Sequence, residues 1–176
     1  MKHFGKHLVQ CMVRLLLSEI LCLVLAVSTA ILGDKLPVQA VGLLCGVLAH
    51  SLLIGSCAQK CAAEDAVLYR TERIRISPWK VILTAVCAMI PAAVTYLLLC
   101  ANPESILMLN LFPLLNAPFL QFYRMMIRNT EPFSAIAAGR RICMALPPLV
   151  TALSWAIGYW FRSIPETARA DAGRRT

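Results

Sequence analysis

With 59% hydrophobic and only 15% charged residues along 176 positions, and a mean hydropathy of +0.71, the chain is too apolar for an ordinary soluble domain. Its net charge of +8 invites a nucleic-acid reading, but the basic residues lie between apolar runs, where they mark membrane boundaries instead. That excludes nucleic acid as a partner and makes the lipid bilayer the first one.

Five apolar runs, roughly 15–33, 38–57, 81–100, 105–123 and 142–161, each have about the 20 residues that cross a hydrocarbon core of about 30 Å. The expectation is an all-α polytopic helix bundle forming a single membrane domain over 1–176, with a basic tail at 162–176. Lipid-exposed backbone must satisfy its own hydrogen bonds, which leaves no other fold for such runs.

The first run has a basic start and small residues near its end. It continues to Gly33, too far for a typical cleaved leader, and reads as a retained anchor. His3, His7 and Cys11 recur at intervals of four and would align on one helix face. A zinc site there lacks a fourth ligand, so no metal or other cofactor is expected. Within the span stands Glu19, on a face with Cys22, Ala26, Ala30 and Gly33; the second span carries His50 on a face with Gly42, Gly46 and Ala49. Folding the chain about Asp34 and Lys35 brings Glu19 and His50 to similar depths, while Ala26, Ala30, Gly42 and Gly46 let the two helices approach closely. Ionisable groups inside a span are costly and carry a functional hypothesis. Here it is a proton- or cation-binding pair, set against a purely structural hydrogen bond.

After the second span, helix formers continue past residue 60 until the R-I-R-I alternation breaks the period. Ser77 can cap a third helix that opens on Pro78. Pro91, Thr84 and Thr95 add weak polar features to it. The fourth run contains LNLFPLLNAPFLQF, with Pro113 and Pro118 as helix breakers and Asn110, Asn116 and Gln121 as amides. On a continuous helix Asn110, Pro113, Ala117 and Gln121 would share one inward face. Each proline removes a backbone donor, so the carbonyls near 109 and 114 lose their usual partners and can face a ligand, as in broken transporter helices. The competing reading is amide-mediated helix association. Thr130 and Glu131 suit a helix start before the fifth run, in which Pro147 and Pro148 allow a kink, Thr151 and Ser154 add hydroxyls, and Trp155, Tyr159, Trp160 and Phe161 resemble an interfacial belt.

Lys2, Lys6, Arg14, Lys60, Arg70, Arg73, Arg75, Lys80, Arg124, Arg128, Arg140 and Arg141 fall on one side of a five-crossing topology, against Lys35 on the other. The positive-inside rule then makes the N terminus cytoplasmic in a multi-pass protein, and the format suits a plasma membrane. One feature conflicts: five crossings place Arg162, Arg169, Arg174 and Arg175 outside, so either the tail tolerates export or residues 142–161, with Pro147 and Pro148 near their start, do not fully cross. The eight cysteines contain no C-x-x-C pair and read as packing residues, with Cys57 and Cys61 the nearest to a thiol pair.

No phosphate loop, H-E-x-x-H helix or G-x-S-x-G elbow is present, so no enzyme is expected. Two classes remain. One is a small-solute or ion binding or transport component without its own energy-coupling domain, using Glu19, His50, Asn110 and Asn116. The other is a non-catalytic helper subunit of a larger membrane complex, docking a membrane-protein partner or a second copy of itself. Polar groups spread over several spans favour the first.

Overall fold

The computed structural model describes residues 2–33, 35–71, 78–127 and 132–174, with backbone alone at 2, 3, 78 and 165–174. It is a helical membrane bundle in which four helical stretches, Phe4–Ile31, Leu36–Arg70, Trp79–Ala101 and Ala138–Ile164, are long and apolar enough to span. Helix α1 covers Lys2–Ile31, α2 Leu36–Arg70 and α3 Pro78–Ala101. Two short helices follow, α4 (Ile106–Leu114) and α5 (Leu120–Met126), then α6 (Ala138–Met144) and the long α7 (Pro148–Arg174). Ser77, Thr130 and Glu131, the expected helix starts, lie outside the described residues.

Helices α1 and α2 form an antiparallel hairpin. Lys6 pairs with Glu64 at 2.6 Å near one end, Ser18 meets His50 midway, and Thr29 abuts Gly42 near the turn. Helix α7 runs parallel to α2: Thr151 reaches His50, Gly158 packs on Gly55, and Tyr159 reaches Asp65. The α2–α7 crossing is close because both contact positions are glycine; a β-carbon on Gly158 would lie 2.6 Å from the Gly55 carbonyl oxygen. Around it packs a core of Cys11, Ile54, Cys57, Cys61, Val81 and Trp155. The outward leucines, isoleucines and valines of every long helix are exposed, as lipid-facing positions should be.

The expected fourth span, 105–123, departs from a single crossing helix. Helix α4 has nine residues, a rise of roughly 13 Å at 1.5 Å per residue, less than half of a core about 30 Å thick. Its axis and that of the following 117–126 segment differ by 96°. The ends of this segment return to the same end of the bundle: the Ser134 N–H donates to the Pro103 carbonyl at 3.3 Å, while the Tyr96 hydroxyl donates to the Arg141 carbonyl at 2.9 Å. The described residues 104–127 and 132–133 are therefore arranged as a re-entrant loop, which leaves four crossing helices among the described residues.

This reverses the expected sidedness of everything that follows. Arg124, Arg140 and Arg141 share an end with Lys35, opposite Lys6 and Arg70, while α7 carries Arg162 back to the end that holds the N terminus. The conflict posed by the basic tail disappears with the fifth crossing. The aromatic belt expected at the far side is also relocated: Trp155 and Tyr159 are buried at 1% and 4% exposure, against α2. The topology has a direct test. A single cysteine replacing Ser134 should react with impermeant maleimide from the side opposite to one replacing Lys6; labelling of both from one side would restore five crossings.

Candidate functional site

The buried face of α1 repeats through Cys11, Ser18, Cys22 and Ala26; it keeps Cys22 and Ala26 of the face assigned to Glu19 but takes Ser18 in place of Glu19 and leaves Ala30 exposed. Successive residues on a helix lie about 100° apart, so Ser18 and Glu19 address different neighbours. Ser18 Oγ sits 2.8 Å from His50 Nδ1, and Thr151 Oγ1 sits 2.8 Å from His50 Nε2. A neutral imidazole has one donor and one acceptor nitrogen, and the two hydroxyls satisfy both. The ring also lies edge-on to Phe119, 5.6 Å between centroids. His50 thus ties α1, α2 and α7 together at the level of the loop tip. Replacing it with leucine should cost only about 1 kcal/mol, since Ser18 and Thr151 can turn to carbonyls of their own helices; a loss of folded protein in detergent melts would refute that.

Glu19 turns instead to the re-entrant tip, where its Oε2 accepts the Ala117 N–H at 2.7 Å. The anticipated Glu19–His50 pair is replaced by these separate partners. The tip exists because Pro113 and Pro118 interrupt the helix: neither has an N–H to give, and the chain passes through Asn116 (φ −132°) into a single 3-10 turn at Ala117–Phe119. Asn116, 3% exposed, spans the break. Its Nδ2 donates to the Phe112 carbonyl at 2.9 Å and to Thr95 Oγ1 at 3.1 Å. The tip is seated on α2 at Gly46, where a β-carbon would come within 2.9 Å of the Pro118 carbonyl oxygen. Further along, Gln121 Nε2 donates to Thr29 Oγ1 at 2.8 Å.

Beside this tip is a cavity of about 200 Å³. Met12, Leu15, Leu16 and Glu19 of α1, Ala88, Pro91 and Ala92 of α3, Leu115, Asn116 and Phe119 of the tip, and Pro148 and Thr151 of α7 line it. Three polar side chains, from Glu19, Asn116 and Thr151, stand in otherwise apolar walls. His50 lies behind Thr151 and does not line it. Asn110 is exposed on the outside of α4 and Ala30 on the outside of α1, whereas Pro113, Pro118, Ala26, Gly42 and Gly46 are buried. Helix α4 buries Leu109 and Phe112, and the phase drawn from Asn110 to Gln121 does not survive the break between them.

A second polar cluster, not anticipated from the sequence, lies at the end that holds the N terminus. The Tyr159 hydroxyl donates to Asp65 Oδ2 at 2.6 Å, and His7 Nε2 stands 3.6 Å from Asp65 Oδ1, all three residues being buried. It fastens α1, α2 and α7 where α2 extends beyond a membrane-length span. The spacing of Asp65 from the i−4 residue Cys61, both on the small-residue face through Cys57 and Ala58, was the available signal. All eight cysteines are unpaired, and among the described residues no three His, Cys, Asp or Glu side chains converge on a metal-sized site. No protein-family model, curated protein or solved structure matches the chain.

Proposed function

We propose that the protein is a small-solute binding component of a plasma membrane, acting in transport without an energy-coupling domain of its own, with its N terminus and C-terminal tail cytoplasmic. The observation that carries this reading is the 200 Å³ cavity at the re-entrant tip, which holds Glu19 and Asn116 among apolar walls. Pockets for small molecules combine an apolar lining with a few oriented polar groups, and broken helices at membrane depth are tolerated where they are buried in protein or line a cavity.

Orientation follows from charge. Lys6, Lys60, Arg70, Lys80 and Arg162 gather at one end, while Lys35, Arg124, Arg140 and Arg141 lie at the other. The richer end belongs inside. His50 supports the site through Thr151 and Ser18 without entering it, and Asn110 has no part in it.

Native mass spectrometry of the protein gently extracted from its own membrane tests the proposal. A non-lipid small molecule should accompany the wild-type chain and be absent from an Ala92→Phe variant, whose added ring would fill the cavity. A stoichiometric protein partner with no such small molecule would point instead to a helper subunit.

A further inference from the structure

We propose that the cavity takes a small organic ammonium ion, a protonated amine bearing a short apolar chain; this rests on reading the cavity as a solute site. The argument is a donor and acceptor count at its polar wall. Asn116 spends both amide hydrogens on Phe112 and Thr95. Its orientation is unambiguous because the Phe112 carbonyl can only accept. What remains is Oδ1, an acceptor without a partner among the described residues. Thr95 in turn donates to the Ala92 carbonyl, so it has no hydrogen to offer. Glu19 uses Oε2 on the Ala117 N–H, and its other carboxylate oxygen is a second unengaged acceptor. Thr151 Oγ1 shares one hydrogen with His50 Nε2, carried by either atom according to the ring's tautomer, and a hydroxyl hydrogen left over can turn to a carbonyl of its own helix.

The unengaged groups are therefore acceptors, one on a carboxyl group, and neither ion pair found among the described residues includes Glu19. A carboxylate at membrane depth needs a compensating charge or a proton. An ammonium head supplies the charge and donates to both acceptors, whereas an anion would meet repulsion and a purely accepting solute would leave both unmatched.

Size and lining select an organic ion over a metal ion. The 200 Å³ volume is several times the ~30 Å³ that one water occupies. Met12, Leu15, Leu16 and Leu115 offer no oxygens to replace the hydration shell of a bare alkali cation. They do offer contact to a short alkyl chain, as does Phe119, which lines the same wall.

The experiment measures binding of n-butylammonium, n-butanol and butyrate to the purified protein in lipid nanodiscs by titration calorimetry. The three match in carbon number and differ in charge. Butylammonium should saturate one site, should not be displaced by equimolar sodium, and should bind at least tenfold more weakly to Glu19→Gln, which keeps an acceptor for Ala117 but loses the charge. Ala92→Phe should abolish it. Saturable binding of butanol or butyrate that Ala92→Phe blocks, with butylammonium excluded, would keep the solute site and overturn the ammonium assignment. Displacement by sodium would overturn it in favour of a metal ion. Butylammonium uptake indifferent to both variants would be partition into lipid and would overturn it too. Saturation by none of the three would count against the ammonium assignment and the solute site together.

Discussion

Replacing Gly158 with alanine is expected to destabilise the folded bundle by about 1–3 kcal/mol, the range found when a packed interior is overfilled. The added carbon would lie 2.6 Å from the Gly55 carbonyl oxygen and 2.8 Å from its Cα. Both are backbone atoms, so no side chain can swing aside; α2 and α7 have to separate. Separation is costly here because helices in lipid associate through packing and interhelical hydrogen bonds with no hydrophobic force between them. It would also strain the His50–Thr151 and Tyr159–Asp65 bonds on either side of the crossing. Gly139→Ala is the control, since nothing lies within 4 Å of a β-carbon there and alanine is the better helix former by about 1 kcal/mol. Reversible unfolding in mixed micelles should rank Gly139→Ala at or above wild type and Gly158→Ala well below it. Equal stabilities would mean that the helices do not cross at these glycines.

The legible part of the fold is the part that depends on composition over long windows. Four spans are uninterrupted apolar runs, and nothing but a helix can carry such a run through lipid. The start of the first was less legible: α1 begins at Lys2, well before position 15, because a hydropathy window measures bilayer thickness while helix length follows local propensity and polar contacts such as those of Lys6 and His7, whereas α2 reaches Arg70 as the helix formers past residue 60 indicated. The prolines at 113 and 118 announced a break, but a helical wheel carries its phase through one, so it placed Asn110 inward with Gln121 when only Gln121 is buried. A half-crossing also changes the parity of every later segment. The arginine-rich tail was the one local sign of that, and it conflicted with the five-crossing count.

Side-chain pairing was legible to within one residue. Depth matching correctly brought α1 and α2 together near residues 18–19 and 50, but azimuth chose Ser18 for His50 and released Glu19 to the tip. Contacts between positions far apart in sequence, such as Gly55 with Gly158 or Asp65 with Tyr159, leave no periodic trace in either helix. They are set by where α7 lands after the re-entrant loop.

Glu19→Leu is expected to cost about 2–3 kcal/mol and to unseat the re-entrant tip, whereas Glu19→Gln should cost less than about 1 kcal/mol. The difference lies in one backbone group. Ala117 follows the break and its N–H has Glu19 Oε2 as its partner, at 2.7 Å. In the absence of bulk water that donor has no substitute for a lost acceptor, and leucine provides none. Glutamine keeps a carbonyl oxygen at the same reach. The tip's other fastenings, Asn116 to Thr95 and Gln121 to Thr29, lie to either side and would hold the arms while the apex loosens. A cysteine at Leu115, which lines the cavity, reports on this locally: its modification by a small thiol reagent should accelerate several-fold in Glu19→Leu and stay at the wild-type rate in Glu19→Gln. Equal rates in the two variants would show that the Ala117 bond does not hold the tip, and would remove the link between the carboxyl group of α1 and the shape of the cavity.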